Sequence, residues 1–383
     1  MPRETGATDP GCVAVVGATG AVGREVLGLL AARGVPAARI RALASARSAG
    51  SSVEFGALNL SVGAIDERSF DGCSLAIFAA DAATARRYAP VAVGAGAVVI
   101  DNSSAFRLDP AVPLVVPEVN PGGVRLADDS AIIANPNCTT IILVTALEPL
   151  RRAFGVEAVD IATYQAVSGA GLAAIDELLA DTRASLDPDA ARPTANGQRV
   201  FAEPAAFNVF SHDSPVDPLS GLNGEEQKVI DETRKIWNDP AIRVTPTCVR
   251  VPVVRAHTEA VTVTLATPAD EAGVRAAFRE GTGVEIVDDR AANSFPTPRK
   301  ASGRAPVLVG RLRPDPGEAP DAEGRNRRWC LLACGDQLLK GAALNAVQIA
   351  EGLGLVPTSP PPAALSARPR EVSVRDGAAA IGL

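Results

Sequence analysis

The sequence predicts an α/β protein. A doubly wound parallel sheet comes first, and a second α+β domain with a mainly antiparallel sheet follows. Three observations carry this. Residues 12–16, CVAVV, are a continuous apolar run rich in valine, followed at once by glycine-rich GATGAVG and then by a helical stretch. Strand-like and helix-like segments then alternate to about residue 137. From 138 onward, long and partly alternating β segments succeed one another with few helices between them. Alternation of strand and helix is the signature of a parallel sheet covered on both faces, whereas successive strands point to antiparallel pairing. The length, 383 residues, is enough for about two domains.

Taken in order, CVAVV reads as a buried parallel strand because it lacks the alternation of a half-exposed one. REVLGLLAARG has helical spacing and closes on Gly34. IRALAS and SLAIFAA read as strands, ATARRYAPVAVGAG as a helix, AVVIDNSS as a strand, PLVVPEVN as strand or loop and SAIIANPN as a strand. CTTIILVTALEPLRRAFG then reads as a long helix, AVDIATYQAVSGAG as a strand ending in a glycine turn, and LAAIDELLADTRASL as a second helix. RVTPTCVRVPVVRAHTEAVTVTLA is a long β segment whose prolines favour an edge or a bend. PVLVGRLR and RWCLLACGDQ are further strands, and KGAALNAVQIAEGLGL is a last helix packing back on the first domain. The expected division is a nucleotide-binding domain of residues 10–137 and 340–356 and a catalytic and dimerisation domain of 138–339. DPDAARPTANGQ and RPDPGEAPDAEG read as surface loops, and residues 1–9 and the Pro-rich 357–383 as flexible tails.

Apolar residues make up 47% of the chain and charged residues 21%, an ordinary globular balance. The formal net charge of −7, with no long run of one sign, argues against nucleic-acid binding. No apolar run is long enough for a membrane helix, and MPRETGATDP lacks the apolar centre of a secretion signal, so a cytoplasmic location is expected. In that setting the six cysteines, at 12, 73, 138, 248, 330 and 334, are expected to be thiols rather than disulfides. Cys330 and Cys334 have no histidine near them, and no metal site is expected. Only His212 and His257 can supply an imidazole.

Gly17, Gly20 and Gly23 space GATGAVG as GxxGxxG between a strand and a helix. Such a loop allows a tight turn, backbone N–H groups aimed at a pyrophosphate, and close helix–sheet packing. Thr19, Ala21 and Val22 complete it. The second strand ends in ALASARSAG, without a carboxylate to hold a ribose 2′-hydroxyl. Ser45, Arg47 and Ser48 instead suit a 2′-phosphate, which predicts NADP rather than NAD.

Cys138, in ANPNCTT, falls between a strand's end and a helix's first turn. Unpaired N–H groups and the helix dipole favour an anion there, so a thiolate with a depressed pKa and nucleophilic character is expected beside the nicotinamide.

GATGAVG, SARSAG, DNSSAFR, PEVNP, NPNCTT, QAVSGAG, RVPV with a histidine four residues beyond its last valine, VGRLR and KGAALNAVQIAE stand in consistent order from about residue 12 to 355. Together they resemble the aspartate-β-semialdehyde dehydrogenase family. The resemblance implies NADPH-dependent reductive dephosphorylation of L-aspartyl-4-phosphate to aspartate semialdehyde, feeding lysine, diaminopimelate, threonine, methionine and isoleucine synthesis, by a homodimer. It implies Cys138 as nucleophile, His257 as acid/base and Gln165 as the residue that orients the substrate. It also implies Arg250 on the substrate carboxylate, Glu225 on the amino group, and Lys228, Arg107 and Asn137 on phosphate. Ser168 and Gly169 would line the nicotinamide pocket and Asn345 would approach the cofactor. Glu225 and Glu226 both precede Lys228 in one helical stretch; i,i+3 spacing puts Glu225 on the lysine's face. The residue types suit the chemistry, since a thiolate makes a thioester that hydride can reduce, and an arginine fork matches a carboxylate.

The sequence departs from the family pattern at Ala256, where glycine usually precedes the histidine, and in the polar stretch RPDPGEAPDAEGRNRR. The competing readings are N-acetyl-γ-glutamyl-phosphate reductase, which runs the same chemistry on a longer acylated substrate, and a non-catalytic nucleotide-binding relative.

Overall fold

The computed structural model describes residues 11–124, 131–187 and 199–358. The expected tail at 1–9, nearly all of the one at 357–383 and most of loop 187–198 lie outside them. The chain opens with β1 (Cys12–Val16) and α1 (Ala21–Ala32), then β2 (Ile40–Ala44), a hairpin of β3 (Ser52–Phe55) and β4 (Leu58–Ser61), and β5 (Gly63–Ala64). It continues through β6 (Cys73–Phe78), α2 (Ala82–Gly94), β7 (Val98–Asp101) and β8 (Ile132–Ala134). Six of these strands form an all-parallel, Rossmann-type sheet in the order β5-β2-β1-β6-β7-β8. Both faces of β1 are covered, which explains its unbroken apolar sequence. Val13 and Val15 pack with Val26, Leu27 and Val347, while Ala14 and Val16 pack with Phe78, Ala85 and Ala89. Strand order reverses at β1, so the crevice at the carboxyl ends of β1 and β6 is where such sheets take ligands.

The chain then crosses into α3 (Cys138–Phe154), β9 (Val156–Gln165), α4 (Leu172–Leu186), β10 (Phe210–Ser211), α5 (Gly224–Trp237), β11 (Arg243–Arg250) and β12 (His257–Ala269). After α6 (Glu271–Glu280), β13 (Val284–Ile286) and α7 (Pro298–Ala301) come β14 (Val307–Pro314) and β15 (Asn326–Gly335). The second sheet runs β10-β11-β9-β12-β15-β14-β13 and is antiparallel except at β11–β9 and β13–β14. Pro246 lies within β11, but β10 pairs only with Val249 and Arg250, so the missing N–H falls on an open edge.

α3 is apolar almost all round because it is buried almost all round: Ile141, Leu143, Val144, Leu147 and Leu150 have no exposed surface and join one core with Val261, Val263 and Leu331 of the second sheet. Truncating such a residue, for example Leu147→Ala, costs about 2–5 kcal/mol. The last helical segment begins with a wide π-type turn, Leu339–Ala343, and continues as α8 (Leu344–Gly352), which packs back on α1.

One expectation about the cysteines fails. Cys12 and Cys73 are register partners on neighbouring strands, with Cα atoms 4.1 Å apart, and they form a disulfide. Cys248, Cys330 and Cys334 are buried thiols, the last two against the hydroxyls of Thr262 and Thr258. Among the described residues no helix is long and apolar enough to cross a membrane.

Candidate active site

The glycine loop after β1 is built on close backbone approach. Gly17 has φ +82°, and a Cβ there would lie 2.2 Å from the Ala79 carbonyl oxygen. A Cβ at Gly23 would lie 2.1 Å from the Gly17 oxygen, so α1 approaches the loop as closely as backbone permits. α1 starts after Gly20 with no side-chain cap, the kind of helix end that can accept an anion. Thr19 turns its carbonyl to Arg24 Nε at 2.9 Å, and Ala21 and Val22 open the helix. Beyond β2, Ser45, Arg47 and Ser48 occupy a turn in which the Ser48 and Ala49 N–H groups donate to the Ser45 oxygen. Ser45 and Arg47 are exposed.

The thiol stands where the sheets meet. β8 ends at Ala134, and Asn137 caps α3 by accepting the N–H groups of Thr139 and Thr140 at 3.0 and 3.2 Å. Cys138, the first helical residue, is partly exposed, and its Sγ lies 3.5 Å from His257 Nε2. His257 opens β12 and is fully buried, and its Nδ1 accepts the Ala166 N–H at 3.0 Å. The surroundings of the sulfur work against the expected thiolate. Burial pushes it up to about 12, Glu225 pushes the same way, and Arg107 and Arg250 oppose. Burial, with Arg250 adding to it, holds His257 down to about 3. The helix N-terminus alone does not outweigh burial and the neighbouring carboxylate.

Charged groups ring the pair. Glu225, buried at the start of α5, accepts Asn137 Nδ2 at 2.9 Å, Gln165 Nε2 at 3.3 Å and Lys228 Nζ at 3.2 Å. Burial alone would raise its pKa, but Lys228, His212 and Asn137 bring it down to about 2. Glu226 faces elsewhere, closing a capping box on Asn223 and accepting the Cys248 N–H. Arg250, at the end of β11, reaches Asp213 Oδ1 with Nε and Nη2, His212 Nε2 with Nη2, and the Ala166 carbonyl with Nη1. A Cβ on Gly169 would come 3.2 Å from Arg250 Nη1 and 3.4 Å from His257 Cε1, so bare backbone forms that wall. Arg107 donates to the carbonyls of Asn102 and Asn135 and to Glu232. Ser168 is buried and accepts from Gln337. Asn345 is also buried, its amide spanning Lys340, Asn135 and the Val115 carbonyl.

Several members of the site went unread in the sequence. Glu232 lies seven residues after Glu225, on the same stripe of α5, a spacing that could have found it. His212, which reads from the sequence as an ordinary loop residue, touches Arg250 and lies 3.9 Å from Glu225 Oε2. Asp213 had no local signal. Gly341, in the π-type turn, sits against the nucleophile position, where a Cβ would lie 3.1 Å from Cys138 Cβ.

A parallel nucleotide-binding sheet, joined to a second sheet with a thiol and an imidazole at the seam, defines a nicotinamide-dependent dehydrogenase. The family model of the semialdehyde dehydrogenase NAD binding domain matches residues 12–127, and that of the semialdehyde dehydrogenase dimerisation domain matches 147–340. Aspartate-semialdehyde dehydrogenase from Synechocystis sp. is 46% identical over 339 residues, 88% of this chain and 96% of that protein. The Bacillus subtilis protein of the same name is 42% identical over 349 residues, 89% of this chain and 96% of that one. The crystal structure of aspartate semialdehyde dehydrogenase II from Vibrio cholerae, complexed with ASA, is 40% identical, covers 91% of this chain and 99% of its own, and superposes with a TM-score of 0.83. The chain belongs to the aspartate-semialdehyde dehydrogenase family. It is an oxidoreductase of amino-acid biosynthesis acting on a small molecule, and its dimerisation domain makes the assembly a homodimer.

Proposed function

We propose that the chain converts L-aspartyl-4-phosphate to L-aspartate 4-semialdehyde and phosphate, with NADPH as reductant and a thioester on Cys138. The step belongs to lysine, diaminopimelate, threonine, methionine and isoleucine synthesis in the cytoplasm. The observation that carries the reading is the 3.5 Å approach of Cys138 Sγ to His257 Nε2, inside a ring of both charge signs. The sulfur attacks the acyl carbon; the C–S bond forms, the C–O bond to phosphate breaks, and phosphate leaves with the electron pair. When bound, NADPH supplies the hydride; the C–S bond then breaks with its electron pair returning to sulfur, and the aldehyde leaves. His257 handles the proton at the reacting oxygen, and Gln165 orients the acyl group. Arg250 grips the substrate carboxylate, Glu225 its amino group, and Lys228, Arg107 and the Asn137 end of α3 the phosphate. Gly17, Thr19, Gly20, Ala21, Val22 and Gly23 would cradle the pyrophosphate, Ser45, Arg47 and Ser48 the 2′-phosphate, and Ser168, Gly169 and Asn345 would border the nicotinamide. Residues 10–137 and 340–356 serve as the cofactor domain and 138–339 as the catalytic one.

The test is phosphate-dependent reduction of NADP by aspartate semialdehyde, followed by nicotinamide absorbance. Cys138→Ser is expected to abolish turnover while NADP still binds. Retained turnover removes Cys138 as nucleophile, and a preference for N-acetyl-γ-glutamyl semialdehyde refutes the substrate assignment.

A further inference from the structure

We propose that Lys340 is a positioning residue for the reaction: its buried ammonium closes a chain of three side-chain amides, Asn345, Asn135 and Asn102, and through that chain holds Arg107 and the turn behind Cys138. This rests on the proposed placing of phosphate at Arg107 and of the nucleophile at Cys138, and it adds a residue that acts through others.

An ammonium has three hydrogens and can only donate. Lys340 is 1% exposed, and it gives one hydrogen each to Glu118 Oε2, to Asn345 Oδ1 at 2.8 Å and to Gln348 Oε1 at 2.9 Å. Gln348 in turn donates to Glu118 Oε1 at 2.9 Å. Burial pulls the Lys340 pKa below its ordinary value, and Glu118 opposes. The ion pair is what keeps a charge in such a place.

The ammonium fixes which end of Asn345 is oxygen. The Asn345 amide nitrogen then points away, donating to the Val115 carbonyl at 2.9 Å and to Asn135 Oδ1 at 2.7 Å. Asn135 is thereby turned with Nδ2 toward Asn102 Oδ1 at 2.9 Å and the Ala342 carbonyl at 3.3 Å. Asn102 ends the chain with Nδ2 on the Phe78 carbonyl at 2.8 Å, at the carboxyl end of β6. Each amide oxygen accepts from the group before it, and each amide nitrogen also meets a backbone carbonyl. No one of the three can turn over without setting like against like.

The chain reaches the site at two places. Arg107 rests its Nε and Nη2 on the backbone carbonyls of Asn135 and Asn102, at 3.0 and 2.6 Å, so the placing of these two residues sets the plane of the guanidinium. Lys340 and Ala342 both belong to the π-type turn Leu339–Ala343, whose Gly341 lies against Cys138. Wide turns of this kind are frequent at functional sites. Without the ammonium, Asn345 Oδ1 has no donor, and the turn loses its tie to Glu118.

The test is a double-mutant cycle on the full-length protein, with the KM for phosphate as readout. Two amides stand between Lys340 and Asn102, and effects at independent sites would multiply. Lys340→Met is expected to raise the phosphate KM about fivefold or more, with kcat changed much less, and adding Asn102→Ala is expected to raise it little further. If Lys340→Met does not fold, Asn345→Asp takes its place in the cycle, since it keeps an acceptor for the ammonium but cannot donate to Asn135. Effects that multiply, or a lowered melting temperature with an unchanged phosphate KM, make Lys340 a structural residue only and overturn the proposal. The second measurement needs no substrate. It is alkylation of Cys138 by iodoacetamide well below the melting temperature, read from the mass of the peptide that holds it. Breaking the chain is expected to speed alkylation severalfold, because Gly341 no longer screens the sulfur, and an unchanged rate overturns the proposal. A wild type without phosphate-dependent turnover would sink the proposed function, and alkylation would still decide whether Lys340 holds the turn.

Discussion

The carboxylate of Glu232 accepts the backbone N–H of Asn137 at 2.5 Å, tying α5 to the residue that caps the nucleophile's helix. The same carboxylate holds Arg107 at 3.1 Å, and both side chains are almost wholly buried. Removing one partner of a buried pair strands the other, at a cost of about 3–5 kcal/mol. Glu232→Ala is therefore expected to lower the unfolding midpoint and raise the KM for phosphate, while NADP affinity, read by fluorescence titration, is unchanged. Glu232→Gln, which keeps an acceptor for Asn137, should recover part of the stability. A Glu232→Ala protein matching wild type in both midpoint and phosphate KM contradicts this account.

Ala256 carries the strain that its place before His257 demands. Its φ is +72°, in the left-handed region, and it is fully buried. A β-carbon in that conformation costs roughly 1–2 kcal/mol, partly offset because glycine loses more freedom on folding. Ala256→Gly should raise stability by about 0.5–1 kcal/mol in denaturant titration and leave kcat within a few-fold. The distance of 3.5 Å from His257 to Cys138 is already reached with the methyl group in place. A destabilised Ala256→Gly protein would mean that the methyl's packing outweighs the backbone strain.

What could be read in the sequence was what repeats locally. The strand–glycine–helix unit at 12–34 and the helix from Cys138 follow from residue pattern alone, because each is fixed by neighbours within a turn or two. The hairpin of β3 and β4 was not legible, since four-residue strands give too short an alternation. The parallel pairing of β11 with β9 was hidden too, because register between distant strands leaves no local trace. Of the site, Cys138, His257 and Arg250 came from motif order. His212 and Asp213 act through contacts 38 and 37 residues away in the chain, which no spacing rule reports, whereas Glu232 left one trace, its seven-residue spacing from Glu225 on α5. The depressed thiol pKa was expected from the helix end alone; burial, which depends on the whole fold, reverses it.

Arg47 is the exposed guanidinium of the turn after β2, and the proposed NADP preference leans on it. Arg47→Ala should weaken NADPH binding by about tenfold or more, the loss of one charge-assisted contact, and leave NADH nearly unchanged. Titration of both nucleotides decides it. Equal weakening would place the 2′-phosphate elsewhere.

Glu225 predicts an acid limb. Its folded pKa of about 2 lies below the ordinary 4.5. A depressed carboxylate contributes stability that is present above the ordinary value and is lost as pH falls from about 4.5 toward about 2. Wild type should therefore lose stability across that window more steeply than Glu225→Gln, the difference reaching at most about 3 kcal/mol. Parallel curves from denaturant midpoints at several acid pH values would remove Glu225 as the titrating group.

Arg250 is held ready by its own protein. Asp213 Oδ1 accepts from Nε and Nη2 at 3.2 and 2.6 Å, the two-nitrogen edge that a substrate carboxylate also fits. The Ala166 carbonyl and the Phe201 ring, 5.5 Å from the guanidinium carbon, fix the plane from the other sides. Lysine offers one ammonium, and it cannot span a carboxylate or stack on the ring. Arg250→Lys should thus raise the KM for aspartate semialdehyde by about tenfold or more, since one charge-assisted bond is worth roughly 1.5–3 kcal/mol, with kcat changed much less. Asp213→Asn separates the two jobs that the carboxylate could perform. If Asp213 competes with substrate, its loss lowers KM; if it holds the fork in place, its loss raises KM toward that of Arg250→Lys. The buried, three-sided grip on Arg250 favours the second, because the guanidinium keeps its plane only while each edge has a partner. A KM unchanged in Arg250→Lys would remove Arg250 from the carboxylate site altogether.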